Sequence, residues 1–284
     1  MNSPNIPQKT GDTPEILEIE LDLLLEAIYR RYGHDFRNYS RSSLERRLAQ
    51  FQVDYPYQTY SEITSRLLRD SLFFHKLAAY FSVSVTALFR DPFFYEALKE
   101  KVLPLLKTWP HFKIWHAGCA TGEEPYSMAI LLNDAKLLNK ALIYATDISL
   151  PALQTAKTGV YPLDTIKQGS INYLKAGGLT SLSNYYHALY DAAQLDTSLK
   201  KHITFSQHNL VLDKSFGEMQ MIICRNVLIY FNQSLQNQVL ELFWESLEYG
   251  GFLCLGDKES LMFSSVADRF TIVDEQAKIY KKRV

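Results

Sequence analysis

The sequence has little cysteine and no pattern in it. Cys119, Cys224 and Cys254 stand far apart among 284 residues with no CxxC pair. That excludes a disulfide framework and a thiolate zinc site, so no metal is expected, and three unpaired thiols suit a reducing, cytoplasmic setting. An excess of charge is also missing. Thirty Lys and Arg stand against 31 Asp and Glu, a formal net charge of -1, so the chain has no global field to attract nucleic acid. Long apolar runs are absent. The most apolar window, FFHKLAAYFSVSVTALF, is broken by His75 and Lys76 and is too short and polar to insert into a membrane. The start, MNSPNIPQKTGDTPE, lacks the apolar core of a targeting segment, and residues 1–15 are expected to be disordered.

What is present is an ordinary globular composition, 47 % hydrophobic and 21 % charged, with length for one large or two small domains. The first part reads as helix. Leu17, Leu21, Leu24, Leu25 and Ile28 recur at helical spacing. Leu44, Leu48 and Phe51 form a second stripe after YSRSS, which offers a serine cap, and Ile63, Leu67, Leu68, Leu72, Phe73 and Leu77 form a third. Residues 16–90 are therefore expected as a small all-helical domain, with a linker helix over 91–112. From KIWHAG onward, strand-like and helical runs alternate, which predicts a doubly wound α/β domain over 113–284 with mainly parallel strands. The end, RFTIVDEQAKIYKKRV, predicts a hairpin that adds an antiparallel strand. Residues 162–202 break the alternation and predict an insertion with its own structure.

The first strand–helix turn, AGCATGEE, lies where open α/β sheets hold ligands. Gly118 and Gly122 permit a tight turn and close backbone approach. Their spacing is G-x-x-x-G, and no Gly-Lys-Ser/Thr follows, so neither the dinucleotide fingerprint nor a phosphate loop is present. A pyrophosphate favours bare N–H groups or a lysine at a helix start; Glu123 and Glu124 would repel it. A cationic ligand such as S-adenosylmethionine, a sulfonium carrying an ammonium and one carboxylate, fits better. Glu124 is also placed to serve a capping box with Thr121, which leaves Glu123 as the better ligand contact. Asp147 ends the next strand, 24 residues after Glu123, where such folds hold ribose hydroxyls; a helix cap for SLPALQ is the other reading. Asn209-Leu210 and Asn226-Val227 fall at the same sheet edge, where Asn reads an adenine edge or caps a turn.

VSVTALFRDP, IWHAGCATGEEPYSMA, ATDIS, FSQHNL and CRNVLIYF, in this order over about residues 20–284, resemble the CheR-type chemotaxis receptor methyltransferases. The resemblance implies a class I, Rossmann-like S-adenosylmethionine-dependent methyltransferase domain behind a small all-helical N-terminal domain. It implies receptor glutamate side chains as acceptors and S-adenosylhomocysteine as product. By that match Ser84, Thr86 and Arg90 would reach the methionine end, with Arg90 pairing its carboxylate. Ala117 and Gly118 would line the turn, Glu123 would face the ammonium and Asp147 the ribose. Asn209 and Leu210 would flank the adenine, and Asn226 and Val227 the methionine moiety. Tyr230 and Arg225 would stand near the methyl group, positioning rather than abstracting a proton. Ser84 replaces a more usual Asn, and His116 a small residue. The insertion is a poor match to the β subdomain with which some family members dock a receptor tail peptide.

The partner implied is the cytoplasmic helical domain of a chemoreceptor, and RNYSRSSLERRLAQF offers Arg41, Arg46 and Arg47 as a basic helix face for it. Other readings are a carboxyl methyltransferase for a protein outside chemotaxis and a cofactor-binding regulatory module without turnover. The (D/N)PPY segment of amino-group methylation is absent.

Overall fold

The computed structural model describes residues 13–81 and 86–283, and the chain divides into two compact units after Phe81. Most of the expected disordered start, like Ser84, lies outside the described residues. The first unit holds α1 (Pro14–Tyr32), α2 (Arg41–Asp54), α3 (Tyr60–Arg69) and α4 (Ser71–Phe81). Helix α1 starts on a Thr13 cap with Pro14 in its first turn and stops at Gly33, whose φ of 73° a glycine adopts without strain. Helix α3 starts on a Thr59/Glu62 capping box. Leu21, Leu24, Leu25 and Ile28 meet Leu44, Leu48, Phe51, Ile63, Leu67 and Leu77 in one apolar core. Leu17, Leu68 and Leu72, expected in those stripes, are exposed at 38, 43 and 73 %.

The second unit opens with a helical stretch, α5 (Pro92–Ala97) and α6 (Leu103–Leu106) joined by a π turn. Leu88, Phe89, Phe94, Tyr95, Leu98, Val102 and Leu106 belong to the core of this unit, so residues 88 to 106 pack as part of the α/β body. Then come β1 (Phe112–Ala117), α7 (Glu123–Asp134), β2 (Ala141–Asp147), α8 (Leu150–Thr158), β3 (Val160–Pro162) and α9 (Leu163–Lys175). They are followed by β4 (Tyr186–Leu189), β5 (Ala192–Leu195), α10 (Thr197–Lys200), β6 (Ile203–Gln207), β7 (Met219–Cys224), α11 (Gln233–Ser246), β8 (Leu247–Leu255), β9 (Phe270–Asp274) and β10 (Ile279–Lys282).

The main sheet has the order β6-β2-β1-β7-β8-β10-β9. The first five strands are parallel, and β9 and β10 form the expected hairpin, with β10 antiparallel to β8. Central β1 and β7 are almost wholly buried, as strands covered on both faces must be. The chain runs outward from β1 to β2 and β6, then crosses back to β7. Strand order therefore reverses between β1 and β7, and the crevice at their carboxyl ends is the ligand position of such a sheet. Residues in the expected insertion form helix α9 and, with β3, a separate antiparallel sheet of order β3-β5-β4.

Candidate functional site

Two turns meet at that crevice, one after β1 and one after β7. Gly118, at φ 84°, lets them touch: a Cβ there would lie 2.4 Å from Val227 Cγ2. The N–H groups of Gly118 and Cys119 both donate to the Thr146 carbonyl, at 2.8 and 2.9 Å, tying the turn to the end of β2. Gly122 precedes α7 at φ 95°, where a Cβ would meet Ala156 at 2.7 Å. The Tyr161 hydroxyl donates to the Thr121 carbonyl at 2.7 Å and braces the turn from β3. Ala117, buried, ends β1 beneath it.

Asp147 is half-buried and accepts the Ala120 N–H and the Ser149 N–H, each at 2.8 Å. The cap of α8 is Ser149, whose hydroxyl accepts from Ala152 N, so Asp147 is free of that duty and shapes the glycine turn. Burial pushes its carboxyl up, against the backbone N–H groups that lower it. Glu123 is 5 % exposed. Its carboxylate accepts from the Thr121 hydroxyl at 2.7 Å, and among the described residues no cation pairs with it. Burial raises its pKa as well. A buried carboxylate without a counter-charge is costly and suits a cationic ligand group.

Glu124 differs from its neighbour. It lies 2.9 Å from His116 Nδ1 and 3.2 Å from Arg225 Nη1. Burial alone would push its carboxyl up; the His116 hydrogen bond and the charges of His116 and Arg225 bring it below the usual value. Arg225, expected beside the transferred group, is instead an internal post with a side chain 2 % exposed. Its guanidinium donates to Asp91 at 2.6 Å and to the Arg90 carbonyl at 3.4 Å, and stacks 4.2 Å over the Phe94 ring. Four parts of the chain therefore converge on one cation: β1 through His116, α7, β7 and the 90–91 turn. Phe89 and Asp91 flank Arg90 with φ of 50° and 57°, strained values for residues with a Cβ. The Phe89 N–H donates to Ser127 Oγ at 2.8 Å, which in turn donates to the Glu123 carbonyl. Thr86 and Arg90 are half-buried in this segment.

On the β7 side, Asn226 stands at φ 61° and Val227 leads into a 3-10 turn, Leu228–Tyr230. Tyr230 is half-buried there. Glu259, from the loop after β8, binds the backbone of this turn and has no place in the sequence motifs. Asn209 and Leu210 are half-buried at the end of β6. Asn209 Oδ1 accepts from Val211 N at 2.9 Å, the turn-capping alternative for this residue. In the helical unit, Arg41 and Arg46 are exposed on α2, Arg41 paired with Asp22. Arg47 is not on that face: it is 6 % exposed and donates to the carbonyls of Tyr80 and Phe81 at the end of α4. Spacing explains the difference, since 44, 47, 48 and 51 follow the i, i+3, i+4, i+7 rule of one buried stripe.

The α/β unit matches the family model described as CheR methyltransferase, SAM binding domain, over residues 84–279. The chain belongs to the CheR methyltransferase family. The all-alpha domain of the same family matches residues 19–82. The CheR relatives include the Cher3 protein of Pseudomonas putida, 46 % identical over 93 % of this chain and 97 % of that protein. They also include the chemotaxis protein methyltransferase of Listeria innocua, 28 % identical over 87 % of this chain and 93 % of that protein. Chemotaxis protein methyltransferase 1 of Pseudomonas aeruginosa is 33 % identical over 66 % of this chain and 69 % of that protein.

As a CheR methyltransferase the chain uses S-adenosylmethionine, and the crevice fits it. Gly118 lets the turns after β1 and β7 close on each other at the crevice, and Glu123, with no cation paired to it among the described residues, stands at the start of α7. The fold class read from the sequence, a helical domain followed by a Rossmann-like methyltransferase domain, is the one observed. Among the described residues no helix is long and apolar enough to cross a membrane.

Proposed function

We propose that the chain methylates glutamate side-chain carboxylates on the cytoplasmic helical domain of a chemoreceptor, forming glutamyl methyl esters, and that it works in the cytoplasm. The observation that supports this most is coverage. The Listeria innocua chemotaxis protein methyltransferase is matched over 93 % of its length, so the likeness takes in the helical unit as well as the α/β unit. In this reading Glu123 holds the cofactor ammonium, Asp147 the ribose, and Thr86 and Arg90 the carboxylate, with Ser84 beside them. Asn209 and Leu210 flank the adenine; Asn226 and Val227 line the methionine arm. S-adenosylmethionine supplies the methyl group as a sulfonium electrophile. A glutamate acceptor, with a free pKa of about 4.3, is already ionised at neutral pH and needs no base. The protein's task is alignment, which contributes on the order of 7–11 kcal/mol in favourable cases. Tyr230 is assigned to orient the acceptor. Arg225 acts indirectly, by fixing the turn that carries Arg90. Arg41 and Arg46 are the helix contacts for an acidic receptor surface.

The test is transfer of labelled methyl to purified receptor cytoplasmic fragments. Label that mild base releases as methanol is the expected result. No transfer to any receptor fragment, or label that survives base, overturns the reading.

A further inference from the structure

Glu259 belongs to none of the motifs above, yet its carboxylate is 5 % exposed and sits beside the turn after β7. Its Oε2 accepts the N–H of Asn226 at 3.0 Å and of Gly256 at 2.6 Å. Its Oε1 accepts the N–H of Val227 at 2.9 Å and of Ile229 at 3.3 Å. One carboxylate thus satisfies main-chain donors on both sides of the β7–β8 edge. The fit is close: a Cβ on Gly256 would lie 2.8 Å from Glu259 Oε2 and 2.9 Å from Asn226 N. The turn it grips holds Asn226 in a left-handed conformation and leads directly into the Leu228–Tyr230 turn. The opposite side of the same turn is fixed by Val227 against Gly118 and by the buried Arg225 side chain.

We infer that Glu259 is a positioning residue for methyl transfer: it sets the backbone of residues 226–230, and through it the places of Asn226, Val227 and Tyr230 at the cofactor crevice. A neutral amide of the same size cannot do this, because its NH2 group would be set against N–H donors. A charge-assisted bond contributes more than a neutral one, and a buried donor left unmade is costly. The inference needs the cofactor at the β1–β7 crevice but not the identity of the acceptor.

The experiment compares Glu259→Gln and Glu259→Asp with the native chain by calorimetric titration of S-adenosylhomocysteine, thermal unfolding and backbone amide NMR without ligand. In the Gln variant the amide resonances of Asn226, Val227, Ile229 and Gly256 should move upfield, and affinity should fall several-fold because the displaced turn holds the ligand less well. The Asp variant keeps the charge on a shorter arm and should lie between the two in both readouts. Native affinity in the Gln variant overturns the inference. So does an equal affinity loss in both variants that follows only their loss of melting temperature. Should the Gln variant not fold, the Asp variant decides: displaced amide resonances with unchanged affinity reject the positioning role.

Discussion

Replacing Gly118 with alanine tests the contact that joins the two site turns. Two separate costs follow from the geometry. The backbone at φ 84° is left-handed, which costs a residue with a Cβ roughly 1–2 kcal/mol. The new methyl would also stand 2.4 Å from Val227 Cγ2, and forced overpacking of this kind costs roughly 1–3 kcal/mol. Val227→Ala separates them. It removes Cγ2 and leaves Val227 Cβ, 3.5 Å from the added methyl, an ordinary contact. Alone it should cost about 1 kcal/mol, as small truncations of partly buried aliphatic residues do. In the double variant the steric part disappears and the backbone part stays, so the cycle should show a favourable coupling of about 1–3 kcal/mol. Denaturant unfolding of the four proteins measures it, and titration with S-adenosylhomocysteine should show affinity lost in Gly118→Ala and partly restored in the double variant. A coupling within about 0.5 kcal/mol of zero would mean that the turns do not meet as described.

Other outcomes follow from the charged groups. Burial holds the Glu123 carboxyl above the usual range, and an ammonium ligand needs it ionised. Affinity for S-adenosylhomocysteine should therefore fall with acidification at a higher pH than an ordinary carboxylate would dictate, and Glu123→Gln should flatten that profile; an unchanged profile refutes the assignment. Glu124 behaves oppositely. Its folded pKa is lowered, so it stabilises the fold above the unfolded carboxylate value and that contribution is lost as pH falls through the folded one; acid unfolding of Glu124→Gln should be correspondingly less steep. Arg225→Met leaves Glu124 with His116 alone and releases the 90–91 turn. Removing one partner of such a buried pair costs about 3 kcal/mol or more, read by denaturant unfolding, and a native midpoint contradicts the buried network. Alanine at Arg41 and Arg46 together should slow receptor methylation several-fold at low salt while sparing cofactor affinity, and high salt should slow the native enzyme similarly; equal salt curves reject a receptor contact.

The parallel sheet and its switch point were legible because buried parallel strands write themselves as apolar runs separated by helical ones. KIWHAG and MQMIIC are such runs, and the turns after them hold the site. The helical stripes were legible in their middles and not at their ends. Leu17 lies in the first turn of α1, and Leu72 points outward beside the buried Phe73 and Phe74. Residue type points Arg47 outward, but its spacing with Leu44, Leu48 and Phe51 puts it inward. Arg225 was read from a motif as a group at the methyl, whereas its burial depends on Asp91 and Glu124, more than a hundred residues away in sequence. Glu259 and Tyr161 act on backbone atoms of distant turns, and no local pattern marks a side chain whose partners are main-chain groups far along the chain. Cap duty at Asp147 fell to Ser149, two residues on, a shift that boundary reading from sequence does not resolve.

Three carboxylates crowd a turn that would repel a phosphate, and the structure gives each a different counterpart. Successive helix positions are separated by about 100°, so Glu123 and Glu124, though adjacent, leave the start of α7 in different directions. Glu124 meets His116 and Arg225 and spends its charge inside the protein. Asp147 spends part of its own on the N–H groups of Ala120 and Ser149. Among the described residues Glu123 has the Thr121 hydroxyl and a backbone N–H but no cation, and its pKa moves up where that of Glu124 moves down. Groups so close with environments that push them apart have different tasks. Glu124 braces the site before any ligand arrives: without it, Asp91 would be the one carboxylate among the described residues left to pair with the buried Arg225. Glu123 is the carboxylate for which the described residues supply no counter-charge. On the proposed assignment, a cationic cofactor relieves that imbalance on binding, whereas an anionic nucleotide would aggravate it.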